Sequence, residues 1–207
     1  MPIAISTRTI ISRIAILAVL FTLPVAARAQ SDSTSPRRWE LRIPSGALMP
    51  TGEQREHLRS GSLTALQISW LPRQSLAVTS TLGWAKSRDL ATVGSPRLNA
   101  FAVDIGVEAR PSRWVVGQRV SLSPFVGLGA GSRSYDYRGR AMDAQHNMAG
   151  YTSLGGELGV GRVGLRVEVR EYVSGYAPMT GAGARDVRND AIVMAAVRFN
   201  RRAPVAR

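Results

Sequence analysis

The sequence predicts an all-β fold, an eight-stranded antiparallel up-and-down barrel. Three observations predict it. Apolar and polar residues alternate with period two in eight short segments between residues 39 and 199. Clusters of Gly, Pro, Ser, Asn and Asp separate those segments. Long and short connections take turns along the chain, as hairpins joined at two opposite rims require.

The N-terminal residues set the context for the strands. Arg8 and Arg13 give a positive start, and residues 14–23 are an apolar run. Ala27-Arg28-Ala29 then places small residues where a signal peptidase reads them. Residues 1–29 are therefore expected to be a secretory signal peptide, cut before Gln30. The apolar run is too short for a membrane-spanning helix, which needs about 20 such residues. Residues 30–38 are polar and contain Pro36, so they are expected to form a short periplasmic lead. The barrel domain is expected over 39–200, with a basic tail at 201–207.

The first segment covers 39–49, where Trp39, Leu41 and Ile43 alternate with Glu40, Arg42 and Pro44. The second covers 62–71, with Leu66, Ile68 and Trp70 against Gln67 and Ser69. The third covers 76–85, with Val78, Leu82 and Trp84 against Thr79, Thr81 and Gly83. The fourth, 100–109, alternates most clearly: Phe101, Val103, Ile105 and Val107 against Asp104, Gly106 and Glu108. The fifth is 120–132, with Leu122, Val126 and Leu128 against Ser121, Gly127 and Gly129. The sixth is 151–160, with Leu154, Leu158 and Val160 against Ser153, Gly155 and Glu157. The seventh is 163–172, with Val163, Leu165, Val167 and Val169 against Arg166, Glu168 and Arg170. The eighth, 191–199, places Val193, Ala195, Val197 and Phe199 on one face and is the most apolar.

The connections 50–61, 87–99, 136–148 and 175–190 are long, 110–119 is intermediate, and 72–75 and 161–162 are short. An even strand count puts both termini at the short-turn rim. In an outer-membrane barrel that rim is periplasmic.

Composition narrows the chemistry. The chain has no cysteine, which removes disulfides and thiolate metal sites. Its formal charge is +13, carried almost wholly by arginine, with Lys86 the sole lysine. The arginines are scattered, nearly all singly, and no basic stripe is interleaved with aromatics, so nucleic acid is not the expected partner. Anionic lipopolysaccharide or phospholipid headgroups are the acidic neighbours an exported chain would meet. A coding preference for arginine over lysine accounts for the same surplus.

Period two does not say which face is wet. A soluble lipocalin-like barrel turns apolar residues inward, and a membrane barrel turns them towards lipid. Three features favour the membrane arrangement. The polar face carries Gly83, Gly106, Gly127, Gly129, Gly155 and Gly159, as a narrow lumen requires and a solvated strand does not. That face also bears both signs of charge. Glu40, Arg42, Asp104, Glu108, Glu157, Arg166, Glu168 and Arg170 could form a buried, mutually paired lumen network. Large aromatics lie near strand ends: Trp39, Trp70, Trp84, Tyr135, Tyr137, Tyr151 and Tyr172 suit interfacial girdles at headgroup level.

The signal peptide, the strand 39–43, the Gly-rich strand 124–131 and the closing strand ending Ala196-Val197-Arg198-Phe199 together resemble small bacterial outer-membrane β-barrel proteins. The resemblance covers 39–200 and rests on patterns more than on signatures. It implies a Gram-negative outer-membrane location and assembly by the barrel-insertion machinery. It assigns Phe199, the aromatic ending the last strand, to the insertion signal, although residues 200–207 follow it.

Candidate catalytic residues are sparse. His57 and His146 are the only histidines, and both fall in expected long loops. Lipid A deacylases on this fold carry a His-x-Ser motif, and this chain reads His57-Leu58-Arg59 and His146-Asn147-Met148 instead. Ser60 or Ser62 with His57 and Glu56 could still assemble a triad in space. Asp136, Asp143 and His146 share a loop, where solvation explains them better than a metal does. The run 127–131 has no Lys-Ser/Thr ending and no following helix, so it is not a phosphate loop. An interior of eight strands is filled by side chains, which argues against an open pore. The expectation is a monomeric, non-enzymatic barrel without cofactor or metal, with a structural or surface-interaction role for its long loops. A lipid A-modifying hydrolase and a soluble periplasmic lipocalin-like carrier are the alternatives.

Overall fold

The computed structural model describes residues 38–116, 120–138, 145–160, 163–176 and 186–199. The expected signal peptide 1–29, nearly all of the lead 30–38, and the tail 201–207 lie outside the described residues. The strands are β1 (Arg38–Arg42), β2 (Ser45–Pro50), β3 (Gly61–Arg73), β4 (Leu76–Arg88) and β5 (Arg97–Ala109). They continue with β6 (Trp114–Val116), β7 (Val120–Tyr137), β8 (Gln145–Val160), β9 (Val163–Tyr176) and β10 (Asp186–Phe199). A single helical turn, α1 (Gln54–His57), follows β2.

Every pairing is antiparallel. Successive neighbours run β3, β4, β5, β7, β8, β9, β10 and β2, and β2 pairs back onto β3, so the sheet closes on itself. Closure leaves no long edge to template association. β1 and β2 are one stave. Arg42 pairs with Gln67 and Ser45 with Thr64, and the Pro44 carbonyl accepts the Ala65 N–H at 2.9 Å in the same register. The stave is interrupted at Pro44 because proline has no N–H to give to a second neighbour. Counted by staves the barrel is eight-stranded, with β6 a short flap paired to β7 at the short-turn rim.

The strands reach further towards the long-loop rim than the alternation predicts. β5 starts at Arg97, β7 runs to Tyr137, β8 starts at Gln145 and β10 at Asp186. Polar residues occupy both faces there, which hides the period, but ladder hydrogen bonds need no apolar pattern to continue. Within the expected loop 136–148, residues 136–137 and 145–148 are consequently strand.

Facing follows parity. On β9, Val163, Leu165, Val167 and Val169 point outward, while Arg166, Glu168, Arg170 and Tyr172 are buried inside. The interior has two zones. Near the long-loop rim Leu48, Leu58, Leu98, Tyr135, Ile192 and Met194 belong to one apolar cluster. α1 and the Leu58–Asp89 bridge lie at that rim, where Asp89 accepts hydrogen bonds from Thr92 and Tyr137, each at 2.8 Å. Towards the short-turn rim the interior is ionic.

Candidate functional site

The interior charges are set by alternation on six staves. Inward positions of β1, β5, β7, β8, β9 and β10 meet across a lumen about one side chain wide. Glu157 pairs with Arg198, and Arg198 Nη1 lies 2.8 Å from Glu40 Oε1. Glu40 also binds Arg42 and lies 3.7 Å from Arg110. Arg110 continues to Glu108 at 2.6 Å, and Glu108 takes Arg166 at 2.6 Å. Arg166 reaches Glu168 at 2.8 Å, Glu168 reaches Arg170 at 2.6 Å, and Arg170 reaches Asp104 at 3.4 Å. Above this chain Arg133 and Asp190 form a separate pair at 3.3 Å. Each arginine therefore has at least one carboxylate, as burial of charge demands.

The guanidinium faces are also covered. Arg166 stacks 3.6 Å from the Phe125 ring, Arg133 lies 3.9 Å from Tyr172, and Arg170 lies 4.6 Å from Tyr151. These rings need glycine opposite them. A Cβ on Gly129 would sit 2.6 Å from the Tyr151 ring, and one on Gly155 would strike the Phe125 ring. Neutral donors complete the network: Gln67 donates to Glu168 at 3.3 Å, and Tyr172 Oη donates to Asp104 at 2.5 Å.

All eight residues expected in the lumen network lie on this interior face and take part in it. Arg110, Arg133, Asp190 and Arg198 belong with them and were not singled out from sequence. Asp190 falls beyond the segment read as the eighth strand, and Arg198 was hidden by the apolar character of that strand. Arg133 lies just past the expected end of the fifth.

The aromatic expectation needs correcting for four residues. Trp39, Trp70 and Trp84 lie on the outer face, with Trp39 and Trp70 paired across β1 and β3 at 6.3 Å between rings. Tyr135, Tyr137, Tyr151 and Tyr172 are instead buried inside. Tyr135 and Tyr137 do lie at the end of β7, Tyr151 lies well inside β8, and the parity of all four places them on the lumen face. There the rings fill space left by small neighbours, and Tyr137 and Tyr172 hand their hydroxyls to Asp89 and Asp104. Phe199 ends β10, and its side chain lies outside the described residues.

The histidines separate. His57 closes α1, and its Nδ1 is buried without a hydrogen-bond partner, so no bond through that atom links it to Ser60 or Ser62. His146 Nδ1 lies 2.6 Å from Ser134 Oγ, across the β7–β8 ladder. That pair joins residues twelve apart on different strands, and only the register brings it together. Among the described residues no group of three or more His, Asp or Glu could hold a metal.

The class of protein is thus a closed, eight-stranded antiparallel β-barrel with an ionic interior and an apolar exterior. No protein-family model matches the sequence, and no curated protein matches it. Solved structures resemble it in fold. Neisserial surface protein A (NspA) superposes with a TM-score of 0.48 at 11% identity, covering 78% of this chain and 99% of that one. Ail, the attachment invasion locus protein of Yersinia pestis, superposes with a TM-score of 0.42 at 11% identity, covering 77% and 96%.

Proposed function

We propose that this chain is a non-enzymatic outer-membrane β-barrel with a structural or surface-interaction role, its termini in the periplasm and its long loops outside. The inverted distribution of polarity carries the reading. Trp39, Leu41, Ile43, Val103, Ile105 and Leu154 are each more than half exposed, while Arg42, Glu108, Arg166 and Glu168 are buried. A water-soluble surface does not sustain an apolar belt of this extent. From Phe101 to Ala109 the belt covers about 26 Å of strand, or about 20 Å along an axis tilted by about 40°. That approaches the apolar band of known membrane barrels. Trp39 and Trp70 near one rim and Trp84 near the other suit the two interfaces.

A lipocalin-like carrier needs an apolar cavity, and the middle of this barrel is ionic. The partners that follow are outer-membrane lipid and lipopolysaccharide, with the insertion machinery reading the end of β10. The chain is expected to act as a monomer, because closure leaves its sheet no long open edge.

The test is an unboiled gel of protein folded into detergent. A closed membrane barrel runs at a different position before and after boiling. Absence of a shift, with solubility in detergent-free buffer, would overturn the proposal.

The Ser134–His146 contact supports a second reading, hydrolysis of lipid A by a serine nucleophile activated by histidine. Ser134→Ala and His146→Ala should then each abolish a change in the lipid A mass profile that the native chain produces. Identical profiles from a host with and without the chain remove this reading.

A further inference from the structure

The ion-paired charges of the lumen are matched, six arginines against six carboxylates, so the basic surplus of the chain lies elsewhere. Part of it is concentrated in one place. At the long-loop rim a cleft of about 410 Å³ is bordered by Arg59, Lys86, Arg88, Arg97 and Arg138 and by no carboxylate. Among the described residues none of these five side chains makes an ion pair. The backbone holds them together. Arg88 pairs with Arg97 across β4 and β5, Arg59 N–H donates to the Arg88 carbonyl at 3.0 Å, and Arg138 N–H donates to the Arg97 carbonyl at 3.0 Å. Five like charges fixed this closely repel one another, and an anion in the cleft relieves that repulsion.

The cleft is on the outside of the barrel. Lys86 and Arg97 are exposed, in the same outward parity as Trp84 and Phe101. Immediately towards the middle of the barrel lies a second, apolar groove of about 350 Å³, lined by Ile43, Leu66, Leu82, Trp84 and Phe101. Trp84 joins the two. Its indole donates to Asn99, which borders the cleft, at 3.2 Å, and Lys86 Nζ sits 4.7 Å from its ring. Cations above an apolar groove, with a tryptophan between them, match an amphiphile with an anionic head and hydrocarbon tails.

We infer that this face is a docking site for one phosphorylated, acylated glycolipid of the outer leaflet. Its phosphate lies among Arg59, Lys86, Arg88, Arg97 and Arg138, and an acyl chain lies along the groove beside Leu82 and Phe101. Arginine is suited to the head because its planar fork binds phosphate oxygens in pairs. Long loops at this rim place it in the outer leaflet, so the inference rests on the membrane reading above.

The experiment uses the full mature chain folded in detergent micelles, with folding verified for every variant on the unboiled gel. Binding of lipid A is followed by amide chemical shifts. The triple variant Lys86→Gln, Arg88→Gln, Arg97→Gln should weaken binding at least tenfold, while Arg73→Gln, at the opposite rim, should leave it unchanged. Raising the salt concentration should weaken binding to the native chain. Dephosphorylated lipid A should bind much less tightly, and so should inorganic phosphate, which lacks tails. Equal binding by the triple variant overturns the site. Equal binding of inorganic phosphate or phosphatidylglycerol overturns the choice of glycolipid. A barrel that shows no gel shift in detergent fails the membrane reading itself, a result separable from loss of binding by a folded variant.

Discussion

Arg133 and Asp190 are the simplest part of the interior to test, because they pair with each other outside the longer chain of charges. Both are almost fully buried, so removing one partner strands the other in a dry interior. Asp190→Asn is expected to destabilise the barrel by about 3–5 kcal/mol. The double variant Arg133→Met, Asp190→Leu should recover most of that loss, since a buried pair and a packed apolar pair are often of similar stability. Urea unfolding in lipid vesicles measures both; equal losses in single and double variants would contradict the argument. Glycine is constrained at Gly129, which faces Gly106 across β5 and β7 and lies beneath Tyr151. Gly129→Ala would press a methyl against that ring and against the Ile105 carbonyl. A cost of about 1–3 kcal/mol in the same assay is expected from such overpacking.

At the scale of elements the barrel has a seam. β10 pairs with β2 from Asp190–Pro50 to Ala195–Ser45, and among the described residues no ladder continues from β10 to β1. The Arg198–Glu40 bridge spans this gap with side chains. Arg198→Ala should therefore loosen β1 selectively. Amides of residues 39–42 are expected to exchange hydrogen faster in the variant, while those in the β7–β8 ladder keep their native protection. Uniform change across both regions would mean that the bridge stabilises the whole barrel and not its seam.

For the whole molecule, matched charge and filled volume both oppose conduction. Ions crossing the barrel would have to pass a chain of paired side chains from Glu157 to Asp104 and then the aromatic and aliphatic cluster at the loop end. Protein reconstituted in planar bilayers is expected to give no stable conductance steps. A reproducible ohmic channel would mean that the network opens under voltage. Closure also joins residues far apart in sequence: Thr51 N–H meets the Asn189 carbonyl at 3.1 Å. Such long-range pairing makes slow folding the expectation.

The sequence by itself determined the eight staves and which residues of each share a face. Period two in 100–109 and 163–172 is a local property, readable because alternate residues of a strand point to opposite faces. It also supplied eight of the twelve charged residues of the lumen, since Glu108, Arg166, Glu168 and Arg170, for example, occupy polar positions between apolar ones. What it left undecided depends on neighbours in space. Tyr151 and Tyr172 resemble girdle residues until register places them over glycines and beside Arg170 and Asp104. Asp190 and Arg133 become partners only across the interior of the closed barrel, and Arg59 and Arg138 meet only when two loops and the β4–β5 hairpin converge at one rim. Alternation fixes which side chains share a face; closure of the sheet decides which face is inside and what a side chain finds there.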